Sequence, residues 1–561
     1  MVAYQESVPA RRLMLLLLVL FPVLYVTHLG VQELRSQEAL LASIATDVGA
    51  GGNPLTTTVH GEQVPAFPVY PWLIRVCSAF QRPNEWTIRL PAALAVLGLA
   101  TLAGLAARNA GGRVAGFVAA SMVLTSVAFL REGVVAGEDT LFALFLGAAW
   151  LAWFWFGRER QTWWLAWLIS LVAVLLATFT SGIHAVVCFY LPLLFVRRPL
   201  RRWQRFFSVG HLVAIALASA VIIYWHQSVP NQTLLPWSTL VLRAVPEDTG
   251  SYVAHLMSFP FKSVVLILPW VFLCWPGFCL AYRPLEKNPV FCHYLRTILV
   301  SLFVASWVLP RNSPRVLIPL ICPLAILTGL HYEILVRRYY LDLQRLIRVV
   351  THATLALAGL GILAGVLHLT GVIDLSGWNA ATTPRVLALL LITATVSDWV
   401  RRHSARYPVW AMLLLSFSML CLFERAVYPP WQAWLGSNRR LQANVLRAEV
   451  PDGVTIYKTV NRLVVGVCFY LRHPVRQVSD LDLELPDDEA TVYVLGGEKP
   501  PILPTRSWRA CSKRVELRLH SSPFAVWLPG GRCLVRVMAV PDPPTENERE
   551  GTLCMYRGDL R

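Results

Sequence analysis

Runs of about twenty apolar residues recur along most of this chain, and no other feature constrains its fold so tightly. A helix needs about 20 mostly apolar residues to cross a bilayer. Candidate spans fall near 13–29, 90–107, 114–130, 140–157, 162–179, 182–196, 208–225, 262–282, 294–309, 316–335, 350–372, 384–400 and 407–427. Of the 561 residues, 56% are hydrophobic and 15% charged, with a mean hydropathy of +0.53. Soluble domains carry about 25% charged residues, so a large water-soluble fold is excluded. The first run follows Arg11-Arg12, as a signal peptide's would, but no small-residue cleavage site comes after it. It reads as a retained anchor.

Lysines and arginines in short loops orient such a bundle. With thirteen spans, the clusters at Arg11-Arg12, Arg108/Arg113, Arg158/Arg160, 197–205, Arg283/Lys287, Arg337/Arg338/Arg345/Arg348 and 401–406 all fall on the side of the N-terminus. The N-terminus is therefore expected in the cytoplasm and the C-terminal domain outside. The net charge of +17 is mostly this topology signal. A nucleic-acid binder would concentrate its charge on one exposed surface, and no such footprint is present. Twelve of the 18 acids before residue 431 fall on the external side, among them Glu33, Glu38, Asp47, Glu62, Glu85, Glu132, Glu138, Asp139 and Glu424. That face reads as the working face.

The domain plan is a membrane part over 1–430, with external loops at 30–88, 131–139 and 226–261, followed by a small external α/β domain over 431–540. Its expected strands lie at 454–458, 489–497, "RVELRLH" and "RCLVRVMAV", with "NRLVVGVCFYLRH" a helix or buried strand. The tail over 541–561 reads as disordered. Seven of the eleven cysteines lie in or beside spans, where they pack as small apolar groups. A disulfide is permitted among the external Cys468, Cys511, Cys533 and Cys554, with Cys511–Cys533 one option, and no spacing suggests a metal site.

One stretch asks for a further explanation. "HLGVQELRSQEALLASIATDVG" (28–49) leaves the first span and at once presents Glu33, Arg35, Glu38 and Asp47. Leu34, Leu41, Ile44 and Val48 recur at helical spacing, which predicts an amphipathic helix in the membrane interface with Glu33 at its N-terminal end. An acid there is favoured by the helix dipole, so capping alone would account for Glu33.

The segments that follow resemble a family. Gly52, Pro54, His60-Gly61-Glu62, "PVYPWL" (68–73) and "RLPAAL" (89–94) are similar to the first loop and second span of GT-C glycosyltransferases of the aminoarabinose transferase and protein mannosyltransferase type. "LREGVVAGEDTLFALF" resembles that family's second acidic loop, with Asp139 before the span. "ILPWVFLCWPG" (267–277), "SPRVLIPLICPLAILTGL" (313–330) and "VCFYLRHPVRQV" (467–478) resemble its later elements. Two departures stand out: the family's leading acid is Gln32 here, and Ala66-Phe67 replaces the expected lysine before the double proline.

The resemblance implies a GT-C fold and transfer of a sugar from a polyprenyl-phosphate donor to an acceptor hydroxyl outside the cytoplasm, in a bacterial inner membrane. The acceptor is a lipid, glycan or protein. The leaving phosphate needs cations, for which Arg35, Lys262, Arg315 and Arg131 are the candidates, with Arg243 and Arg311 also placed by location. The acceptor hydroxyl needs a carboxylate, for which Glu33 is the first candidate, with Asp139 and Glu138 positioning the acceptor. A divalent metal is an option, with Glu33, Asp139 and His60 as its ligands; His255 is a weaker candidate, and the sequence requires no metal. Interfacial snorkelling explains Lys262 and Arg315 equally well. Two other classes stay open: a transporter or flippase of lipid-linked sugars, and a catalytically silent scaffold of the same fold.

Overall fold

The computed structural model describes residues 10–30, 32–49, 54–60, 62–64, 66–79, 81–196, 206–229, 248–310, 313–372 and 383–435. Beyond them it describes 439–440, 443–444, 447, 450, 453–458, 465–471, 473–477 and the strands at 491–496, 509–518, 526–528, 532–533 and 552–559. The chain divides into two compact units. The first comprises 1–29, 67–73 and 89–430; the second comprises 30–66, 74–88 and 431–561. Of the first external loop, 30–66 and 74–88 thus group with the C-terminal residues, while 67–73 stay with the membrane part.

The first unit is helical because its sequence leaves the backbone no alternative in lipid, where each N–H and C=O must be satisfied within the segment. Among the described residues, eight helices are long and apolar enough to cross a membrane, or nine if the bent pair Thr249–Leu266 and Val271–Phe278 is one span. The chain is an integral membrane protein. Every expected span contains helix, yet the count falls short of thirteen for physical reasons. Helices Ala10–Leu24, Arg113–Thr125 and His184–Phe195 are too short to count. The segments expected as spans 316–335 and 350–372 lie largely in one helix, Ile321–Leu369, kinked at Tyr339 with φ −123° and ψ 32°. The segment expected over 262–282 is bent by 95°.

Small residues set how these helices meet. Helix Arg113–Thr125 packs against Ile321–Leu369, and a Cβ added at Gly329 would come 2.4 Å from the Ala115 carbonyl oxygen. One added at Gly116 would come 2.6 Å from the carbonyl oxygen of Gly104, in helix Glu85–Gly111. Close backbone approach through glycine is how membrane helices gain dispersion contacts without a hydrophobic driving force. Trp150, Trp167, Tyr294, Phe129 and Phe189 fill the interior, and Trp225 and Trp270 are buried as well.

The second unit is mixed. Helix Ser36–Gly49 packs on helix Val465–Leu471 and on a short hairpin of β1 (Thr58–Val59) and β2 (Glu62–Gln63). Ala39 and the run Leu41–Ala45 are buried all round the helix, so it is a packed element of this unit rather than one with a single covered face. Seven further strands form one sheet in the order β4-β3-β5-β9-β6-β7-β8, from β3 (Ile456–Lys458), β4 (Val475–Gln477), β5 (Thr491–Gly496), β6 (Arg509–Arg518), β7 (Val526–Leu528), β8 (Arg532–Cys533) and β9 (Thr552–Asp559). Strand β9 corrects the reading of the tail as disordered over 552–559; the rest of 541–561 lies outside the described residues. The proline- and acid-rich start of that tail dominated its composition, but "TLCMYRGD" pairs antiparallel with β5 and β6. The side chains of Cys511, Cys533 and Cys554 lie outside the described residues.

Gly329→Ala should destabilise the protein by about 1–3 kcal/mol, since backbone cannot yield to the new methyl. Gly359→Ala, on the same helix with nothing within 4 Å, should cost no stability. Melting temperatures of the two variants in detergent check this.

Candidate functional site

Ionisable side chains in the first unit gather around the short helix Val127–Glu132. That helix is fixed at its start: the Val127 N–H donates to the Leu268 carbonyl at 3.0 Å, and the Trp270 indole donates to Thr125 Oγ1 at 2.8 Å. Its last two residues are Arg131 and Glu132. Arg131 Nε lies 3.5 Å from Glu424 Oε1, with its guanidinium 5.1 Å from the Tyr428 ring centroid. Glu132 Oε1 lies 3.5 Å from a terminal nitrogen of Arg315. Glu138 and Asp139 open helix Asp139–Phe154, where the dipole favours negative charge. Asp139 feels the charges of both Glu132 and Arg315, and Glu138 that of Asp139. The Asp139 carboxylate accepts no hydrogen bond among the described residues. Of the residues the sequence nominates, Glu138, Asp139 and Arg315 interact through Asp139, while Arg131, next to Glu132 in the chain, pairs with Glu424.

The same unit holds an apolar cavity of about 380 Å³, lined among others by Pro260, Ser263, Ile267, Phe303, Leu317 and Leu320. Ser263 follows Lys262 in the chain, and Leu317 lies two residues beyond Arg315. Lys262 itself is exposed on helix Thr249–Leu266. His255 is taken up by packing, its Nε2 3.2 Å from the Trp307 carbonyl oxygen and its ring against Phe259.

Glu33 belongs to the second unit, and its role differs from the one its spacing suggested. The helix begins at Ser36, and Glu38 closes it by accepting from the Arg35 N–H at 2.8 Å, the reciprocal half of a capping box. Glu33 instead accepts the Arg439 N–H at 2.9 Å and the Arg440 N–H at 3.3 Å. The Arg439 guanidinium donates back to the Leu34 carbonyl at 2.5 Å. Arg440 reaches Glu85 at 2.6 Å and lies over the Tyr470 ring, while the Tyr470 hydroxyl accepts the Leu34 N–H at 3.0 Å. Burial raises the Glu33 pKa above its ordinary value, and the two amide bonds only partly offset that. Burial likewise lifts Tyr470 to about 12. Arg35 has its backbone N–H engaged by the Glu38 cap.

His60 occupies the hairpin turn with φ 56°, and its N–H donates to Asp47 Oδ2 at 2.7 Å. Among the described residues no three His, Cys, Asp or Glu side chains converge on a point where a metal ion could be held, so no step is derived through one. Gly52, Gly61, Arg243 and Arg311 lie outside the described residues, as does the Glu62 side chain. Arg439, Arg440, Glu85 and Tyr470 went unnominated because nothing local links them to Glu33, about four hundred residues away in the case of the arginines. Arg425 also went unnominated, hidden within an apolar span.

Residues 63–225 match the family described as dolichyl-phosphate-mannose-protein mannosyltransferase. Two crystal structures of ArnT from Cupriavidus metallidurans are similar in fold. The one bound to undecaprenyl phosphate has a TM-score of 0.65 at 16% identity, over 87% of this chain and 94% of its own. The apo form has a TM-score of 0.64 at 17% identity, over 89% and 96%. No curated protein matches by sequence. At this identity the comparison establishes the fold, which is that of the ArnT structures over nearly their whole length.

Because the folded Glu33 holds its proton to higher pH than an exposed glutamate, its contribution to stability is largest below its ordinary pKa of 4.5 and is lost as pH rises through the folded value. The melting temperature of wild type minus that of Glu33→Gln should therefore fall as pH is raised from 4 to 7.

Proposed function

We propose that this protein is a membrane glycosyltransferase that moves a sugar from a polyprenyl-phosphate donor to an acceptor hydroxyl. The observation that carries the reading is the cluster at the end of helix Val127–Glu132. There, carboxylates and arginines of opposite charge lie together in a membrane bundle, and an apolar cavity opens near Lys262 and Arg315 in the chain. The ArnT fold supports it, one of those structures holding undecaprenyl phosphate.

In this reading the cavity takes isoprenoid chain, and Arg315 and Lys262 face the phosphate, with Arg131 beside them. Asp139 is the proton acceptor, because its carboxylate is not committed to a hydrogen bond. The acceptor oxygen gives its proton to Asp139 and bonds to the anomeric carbon. The bond from that carbon to the phosphate oxygen breaks, and its electron pair leaves with the phosphate, where cations stabilise the developing charge. Glu138 precedes Asp139 at the helix start, and the charges of Glu132 and Arg315 both reach its carboxylate. Glu33, whose two oxygens hold backbone amides, keeps the second unit in shape. The distribution of basic loops supports an external working face, and the resemblance of the external domain to the bacterial branch supports a bacterial inner membrane; the acceptor is a cell-envelope lipid, glycan or protein.

The test uses full-length protein in lipid with a panel of polyprenyl-phosphate sugars, reading release of free polyprenyl phosphate. Asp139→Asn should lower release by about 10²–10⁴-fold, and Glu33→Gln by much less. The reverse order would make Glu33 the base. Donor binding with no release from any sugar would favour the silent scaffold, and the same assay with a chelator reads whether a divalent ion takes part.

A further inference from the structure

The last long helix of the first unit, Val409–Leu435, carries two neighbouring ionisable residues that the transfer step does not use. Arg425 is 2% exposed, and its Nε and one terminal nitrogen are sealed from solvent with no hydrogen-bond partner. Both carboxylate oxygens of Glu424 are sealed and unpartnered in the same way. The two heads face each other at 4.0 Å, and Arg131 stands 3.5 Å from the same carboxylate. These are ion-pair separations, longer than good N–H···O bonds. Tyr25, next to Arg425, has its hydroxyl committed to the Leu124 carbonyl at 2.8 Å.

Buried polar atoms are normally paired, and an unpaired acceptor beside an unpaired donor is costly on both counts. A bare cation would suit Glu424 and be repelled by Arg425; an anion would do the reverse. A hydroxyl satisfies both, donating to the carboxylate and accepting from the guanidinium, and two neighbouring hydroxyls on one ring do so twice. We propose that Glu424 and Arg425 form a hydroxyl-binding subsite for the sugar of the lipid-linked donor. The placement rests on the transferase reading. Arg131 and Glu132 are adjacent on one short helix, the first reaching Glu424 and the second reaching Arg315. The subsite is thereby tied to the cluster assigned to phosphate and proton transfer, and in the donor the sugar is bonded directly to that phosphate.

The experiment is a binding measurement on the full-length protein in lipid nanodiscs. The probes are undecaprenyl phosphate alone and the same lipid carrying a pentose or a hexose. Wild type should bind at least one sugar-bearing lipid about tenfold or more tightly than the bare lipid phosphate, as hydrogen bonds to charged groups allow. Glu424→Gln, nearly isosteric, should shrink that gap to within about twofold, each protein's gap being taken against its own affinity for the bare lipid phosphate, since Glu424 also pairs with Arg131. A deoxy-sugar series on wild type gives the same reading without a variant, with one or two hydroxyls expected to account for the gap. An equal gap in wild type and Glu424→Gln, or no gap in wild type, overturns the subsite; a site filled by water gives the first of these results. Release of undecaprenyl phosphate, followed in the same samples, reports separately on the transferase reading. Release with a gap indifferent to Glu424 overturns the subsite alone. A Glu424-dependent gap without release from any donor supports the subsite and overturns the transfer step.

Discussion

The contact on which the candidate site depends is a close backbone approach some distance from it. Gly329 faces the Ala115 carbonyl, and Gly116 faces the Gly104 carbonyl, with no room for a Cβ at either place. Helix Arg113–Thr125 is thereby clasped between two others. Its end at Thr125 is tied to Trp270, and Ser126 turns the chain into the short helix that carries Arg131 and Glu132. Lipid offers no hydrophobic drive for helices to associate, so position here comes from shape, and two charged side chains inherit a fixed origin from it.

Two groups of buried charge in the same unit show what a structural ion cluster looks like and how the candidate site departs from it. Arg296 engages Glu286 through two nitrogens and the Gly277 carbonyl through a third. His331 bonds Glu286 at 3.2 Å and the Leu327 carbonyl at 2.8 Å. Donors and acceptors match, as they must where desolvation is severe, and the group needs nothing further. Around Asp139 and Glu424 the separations are longer, two carboxylate oxygens and two guanidinium nitrogens have no partner, and carboxylates sit near one another.

Much of the fold was legible because a 20-residue apolar run in lipid has only one regular solution. Each expected span contains helix, the strands near 456 and 491 fall where alternation placed them, and the one expected over 514–520 overlaps β6, which begins at Arg509. What failed was whatever depends on continuity or on distant partners. Nothing in hydropathy says that 316–335 and 350–372 share one helix, since basic residues between them read as a loop until the backbone is seen to continue with a kink at Tyr339. The acids before residue 140 could be nominated because a carboxylate pair preceding an apolar run is a local signal. Arg425 could not, because one charge inside a span barely lowers its hydropathy, and its significance lies in what fails to pair with it.

The two departures from the family pattern bear on how labour is divided between the acids. Where the resemblance leads one to expect an acid pair, this chain keeps Glu33 alone, and that carboxylate bridges the amides of Arg439 and Arg440. A carboxylate with both oxygens on backbone N–H groups is well oriented, but those oxygens are already engaged, and an acceptor hydroxyl would have to displace an amide to reach one. Asp139 carries no such commitment and has Glu132 and Glu138 as neighbours. In this chain, proton transfer is therefore better served by the acid at the start of a membrane helix, while the acid of the first loop serves the architecture of the second unit.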